Sequence, residues 1–182
     1  DGHPEIFRGP SVFDRNGRLL WEGEAGRGSL GPKGHGCFST AADLDGQGGM
    51  ELVAGNTAYH ADGTIMWSVD KPDGLVGIAD FNQDGTPEVF LFSSGFGGGI
   101  MILDGLTGSV LSQLDSSYGV NAILVPVIAD IDGSGGPEVG VVGTCSVGSG
   151  GGEQEDTECF WGLDVNEANF SMTLLWEEVL ND

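Results

Sequence analysis

Basic side chains are nearly missing from this sequence: 182 residues carry 6 lysines and arginines against 28 aspartates and glutamates, a formal net charge of -22. So negative a chain repels nucleic acid and anionic membranes and gathers cations, so no nucleic-acid partner is expected. The same charge opposes compaction unless something positive enters the fold, and bound metal ions are the simplest supply. No apolar run approaches the roughly 20 residues a membrane-spanning helix needs, so no membrane insertion is expected. The opening "DGHPEIF" has none of the marks of a signal sequence. Cysteine is scarce, and Cys37, Cys145 and Cys159 form no CxxC or CxxCH spacing that would suggest cysteine-ligated zinc, dithiol chemistry or haem attachment.

Glycine is plentiful, with 34 residues, yet 39% of the chain is apolar, which describes a folded, turn-rich protein and not a solvated tail. Cys145 and Cys159 bracket the polar stretch "SVGSGGGEQEDTE", so a disulfide closing that loop is expected, with two buried thiols as the alternative. Cys37 is then left over, as a small buried hydrophobe.

The strongest signal is repetition. "AADLDGQGGMELVAG", "IADFNQDGTPEVFLF" and "IADIDGSGGPEVGVV" align without gaps: an apolar strand, an acidic loop with Gly at its sixth position and Glu at its ninth, and a second apolar strand. A half copy opens the chain, placing Asp1 and Glu5 on the fifth and ninth loop positions. After each loop come two short strand-like runs joined by a Gly, Asn or Asp turn, as in "VFDRNGRLLWE" and "YHADGTIMWSV", the form of a hairpin. Four strands per unit, recurring at roughly 40 to 50 residues, predict an all-β chain of β-propeller blades. The units are a partial blade over 1–22 and full blades over 38–68, 75–114 and 123–177. The tail "EEVLND" is too short to supply both a connector and the missing inner strand, so an incomplete propeller, or part of a larger one, is expected.

Alternate residues of a tight loop can point oxygens at one centre, and calcium takes six to eight such hard ligands. The second loop offers Asp80, Asn82 and Asp84, the backbone carbonyl of Thr86, and Glu88. The first offers Asp43, Asp45, Gln47, Gly49 and Glu51, and the third Asp130, Asp132, Ser134, Gly136 and Glu138. With neutral groups at the fifth position, these two are expected to bind calcium more weakly than the second. Asp-Gly clusters also make plain β-turns, but three full copies and a half copy at fixed spacing favour the metal. An EF-hand is excluded, because its closing Glu is twelfth and its flanks are helical.

In these loops the chain resembles the FG-GAP or VCBS-type repeats of integrin alpha-chain propellers and bacterial surface proteins. The resemblance implies that the D-x-[DN]-x-[DN]-G-x-x-[DE] pattern at Asp43 to Glu51, Asp80 to Glu88 and Asp130 to Glu138 binds Ca2+ between the first two strands of a blade.

Catalysis has little footing. His3, His35 and His60 sit in different repeat contexts, and no Ser or Cys has a partner motif, so the chain is not expected to be an enzyme. Trp21, Trp67 and Trp176 recur at the ends of the outer hairpins, where packing between blades is expected over sugar stacking. Asn169 to Ser171 fits a glycosylation sequon. The expected function is a calcium-stabilised, secreted or cell-surface module for adhesion, recognition or surface assembly, with a protein or glycan ligand or head-to-tail copies of itself as partners. The alternatives are the propeller portion of a polysaccharide lyase or other glycan-active enzyme, and a structural subunit of an extracellular fibre.

Overall fold

Glycine-rich turns cut this chain into runs too short for a stable helix, and the β-branched and aromatic residues within those runs favour extended backbone. A computed structural model describes residues 4–29, 37–93, 99–115, 121–122, 125–147 and 155–180, and every regular element among them is a strand. No helix among the described residues is long and apolar enough to cross a membrane.

The strands form four antiparallel sheets in chain order. The first holds three strands, β1 (Ile6–Arg8), β2 (Ser11–Phe13) and β3 (Leu19–Glu22). The second holds β4 (Thr40–Ala42), β5 (Glu51–Ala54), β6 (Thr57–Tyr59) and β7 (Ile65–Ser68). The third holds β8 (Gly74–Ala79), β9 (Glu88–Ser93), β10 (Gly99–Asp104) and β11 (Val110–Asp115). In the fourth, β12 (Asn121–Ala122) and β13 (Val127–Ala129) share one edge of β14 (Glu138–Val147), followed by β15 (Glu155–Val165) and β16 (Met172–Leu180).

Consecutive sheets pack face to face. Period-two alternation sends Val89 and Leu91 of β9 into a core with Val53, Ala58 and Trp67 of the second sheet, while Phe90 and Phe92 join Val139, Val141 and Trp161 of the fourth. Both faces of the third sheet are therefore buried, which explains why "EVFLF" reads as nearly continuous apolar sequence. Val12 of the first sheet meets Leu52, Ala54 and Tyr59 of the second in a smaller cluster.

One irregularity recurs in every sheet. The outer strand pair slips register between Val12 and Phe13, between Ala58 and Tyr59, between Ile102 and Leu103, and between Gly162 and Leu163. A bulge at one place in four hairpins tightens the local twist in the same way each time, so the sheets share a shape that can stack. It also aims the tryptophans. The Trp21 and Trp67 rings lie against the hairpin turns of the following sheets, where a Cβ on Gly63 or Gly108 would stand 2.8 Å from the indole.

One expectation is corrected here. Trp176 does not join neighbouring sheets: its indole covers Gly162 of the adjacent strand and meets Phe160 edge-on, with ring centroids 4.8 Å apart. Glu177 to Leu180 continue β16, pairing with Trp161 to Glu158, because β15 is long enough to offer them a partner.

Candidate metal centres

Each acidic loop joins the first two strands of its sheet, and the ninth-position Glu is the first residue of the strand it enters: Glu51 of β5, Glu88 of β9 and Glu138 of β14. Pairing on the inner edge with Ala42, Ala79 and Ala129 carries these carboxylates inside, and all three are at most 4% exposed. One oxygen of each accepts a hydrogen bond from the amide of the second loop residue. Leu44 N–H donates to Glu51 Oε2 at 2.9 Å, Phe81 N–H to Glu88 Oε2 at 2.8 Å and Ile131 N–H to Glu138 Oε2 at 2.6 Å. The glutamate thus cinches the loop shut with one oxygen and has the other for a ligand.

The loop backbones follow one course. Positions four and six are left-handed in all three, with φ of 69° and 83° at Gly46 and Gly48, 58° and 92° at Gln83 and Gly85, and 77° and 102° at Gly133 and Gly135. Asp43 and Asp80 accept hydrogen bonds from the Gly48 and Gly85 amides at 2.9 and 2.8 Å, and Gln47 and Ser134 N–H donate to Asp45 and Asp132 at 2.9 and 2.7 Å. These bonds curl each loop around its own carboxylates.

Carboxylates gathered in this way repel one another, and the strain is visible at Glu88. Burial foremost, and then the negative charges of Asp84, Asp80 and Asp104, push its carboxyl up to about 7 against the pull of the Phe81 amide. A cation would relieve that repulsion. In the first loop, Asp43 Oδ1 is buried without a hydrogen-bond partner, one of two such side-chain atoms among the described residues. A carboxylate oxygen left so is costly unless a ligand satisfies it.

Two groups of side chains bring their donor atoms within 4.8 Å of one another and could hold a metal ion: Asp45 with Glu51 and His60, and Asp130 with Asp132 and Glu138. The third loop thus assembles the acids expected of it, with Ser134 and Gly136 in the same bend. The second loop, expected to be the strongest, keeps its three acids farther apart than this. Asp84 is drawn aside by the Thr86 amide at 2.8 Å, by the Thr86 hydroxyl and by the Asn82 amide at 2.9 Å, and these bonds hold its carboxyl below the ordinary range. Gln83 of this loop reaches the third, donating to Gly135 O at 3.4 Å, and also to Glu167 in the turn between β15 and β16 at 2.6 Å, so neighbouring loops touch along one rim of the stack. Of the half copy, Glu5 is exposed, whereas Asp1 lies outside the described residues.

Sequence reading missed His60, Asp104 and Asp164. Asp104 pairs with Glu88 across β9 and β10, and the same register places His60 opposite Glu51 and Asp164 opposite Glu138. The only trace in the sequence is that each lies at or near the end of the third strand of its unit, and His60 differs in type from the other two.

Cys159 is disulfide-bonded and Cys37 is free. The Cys145 side chain, expected as the partner of Cys159, lies outside the described residues, as do His3 and His35.

No protein-family model matches the chain, and no curated protein matches its sequence significantly. Two solved structures share its fold. The rhamnogalacturonan lyase YesW superposes with a TM-score of 0.51 at 14% identity, over 96% of this chain and 37% of the lyase. The V. cholerae biofilm matrix protein Bap1 gives a TM-score of 0.51 at 15% identity, over 96% of this chain and 36% of Bap1. The chain therefore spans just over a third of the length of each protein that it resembles.

Proposed function

We propose that this chain is a run of calcium-stabilised β-propeller blades of the FG-GAP or VCBS kind, serving outside the cell in adhesion, recognition or matrix assembly and not in catalysis. The observation that carries the reading is the loop itself: one bend, repeated three times, closes on a buried glutamate, and in the first and third loops three possible ligand side chains come within 4.8 Å of one another. Hard oxygen donors at flexible geometry favour calcium over magnesium, and millimolar calcium outside cells would keep such loops filled. Likeness of fold to a biofilm matrix protein supports a place in a surface or matrix assembly. The disulfide at Cys159 agrees with an oxidising compartment. The apolar side chains exposed on the first and fourth sheets, among them Ile6, Phe7, Val127 and Leu174, suit head-to-tail contact with further blades or with another copy.

A second reading, the propeller portion of a glycan-active enzyme, is favoured by the equal likeness to a lyase. A cleavage assay on acidic plant and bacterial polysaccharides, run with calcium and with chelator, separates the two. Calcium-dependent stability without turnover is the expected result. Calcium-dependent turnover would transfer the chain to the second reading.

A further inference from the structure

The first loop departs from its siblings in one donor. Where the third and fourth sheets place Asp104 and Asp164 opposite the buried glutamate, the second sheet, built on β4 to β7, places an imidazole there. His60 is held by its own turn, its amide donating to Thr64 O and its carbonyl accepting from Gly63 N–H, both at 2.9 Å. Its Nδ1 stands 4.0 Å from Glu51 Oε1, too far for a hydrogen bond. Donors on one zinc ion, with bonds of about 2.0 to 2.2 Å, stand roughly 3.3 to 3.6 Å apart at tetrahedral angles. The His60 side chain is 43% exposed and has room to close that difference.

We propose that Asp45, Glu51 and His60 bind a borderline divalent transition-metal ion of the zinc class. Two independent observations meet here: the convergence of a mixed nitrogen and oxygen donor set, and an orphaned carboxylate oxygen in the same loop. Imidazole is a poor ligand for calcium and a good one for zinc, nickel and copper. The fifth position agrees, because Gln47 puts no carboxylate there and turns its amide back onto the Asp45 carbonyl at 3.4 Å. Calcium takes six to eight oxygens, while three or four mixed donors suffice for zinc.

The inference rests on the reading of the acidic bends as cation sites, and the test separates the two. The intact chain is titrated calorimetrically with zinc chloride alone and with calcium chloride alone, beside His60→Ala, His60→Asp and a His3→Ala/His35→Ala control. Cobalt(II) absorption reports imidazole coordination. The expected result is one zinc equivalent that weakens more than about tenfold in His60→Ala, tenfold being the lower end of the cost of losing even a supporting partner. The control should keep it, and the calcium equivalents of the other loops should persist throughout. His60→Asp, which gives this loop the carboxylate found opposite the other two glutamates, should exchange zinc preference for calcium binding. Zinc binding that is absent, or unchanged in His60→Ala, overturns the inference. If calcium still binds in that case, only the inference fails; if neither ion binds, the reading beneath it fails as well.

Discussion

Trp67 of the second sheet donates its indole N–H to the carbonyl of Gly105 in the third, 2.8 Å away and buried. Trp21 repeats the bond one sheet earlier, to Ala61 O at 3.0 Å. These bonds tie the outer strand of one sheet to the hairpin turn of the next, beside the acidic loops, so packing between sheets and loop geometry are linked.

Substitution at that joint should be expensive from either side. Trp67→Ala should cost about 3 to 5 kcal/mol for the cavity it leaves. Gly108→Ala should cost about 1 to 3 kcal/mol, because its φ of 71° disfavours a side chain and the new Cβ would press on the ring. Urea unfolding of both variants checks this. Gly17→Ala is the comparison, since Gly17 also has a positive φ but nothing within 4 Å of its Cβ position, so only the backbone term remains. Equal losses in Gly108→Ala and Gly17→Ala would show that Trp67 does not press on its neighbour.

Calcium-free protein should lose stability as pH rises. Glu88 is pushed up from 4.5 to about 7 in the fold, so between those values the folded chain holds a proton that the unfolded chain has released. Stability then falls across the window and levels off above it. Melting temperatures in chelator from pH 4.5 to 8 test the sign. Glu88→Gln should flatten the slope, and saturating calcium should remove it. A chelated wild type whose melting temperature rises over that window would contradict the cause given for Glu88.

The second position of each loop separates buried plugs from an open one. Phe81 is wholly buried and Leu44 nearly so, whereas Ile131 is 40% exposed. Phe81→Ala should cost about 3 to 5 kcal/mol, and Ile131→Ala about 1 kcal/mol or less, in chemical denaturation. A comparable loss at Ile131 would mean that this side chain is covered in solution.

Much of this was legible because the loops obey a count. Asp at one, Asp or Asn at three, Gly at six and Glu at nine fixed where the strands had to start, and Glu51, Glu88 and Glu138 do open β5, β9 and β14. The nearly continuous apolar run in "EVFLF" likewise suits a strand buried on two sides. Register across a hairpin is not written in linear spacing, and so His60 escaped notice: its approach to Glu51 depends on which residues of β5 and β6 pair. The second loop's extra acid is plain in composition, but a count of carboxylates carries no sign that Thr86 and Asn82 also bond Asp84. Trp176 shares its position with Trp21 and Trp67 in the repeat, yet Gly162 opens a space beneath it within its own sheet.

The most direct test of the central claim is the melting temperature of the whole chain in a calcium chelator and in millimolar calcium at neutral pH. Each filled site should add about 2.7 kcal/mol when calcium is at a hundred times its Kd, which for a chain of this size is a rise of several degrees. Superimposable melting curves in the two buffers would contradict the claim that these repeated acidic bends hold cations.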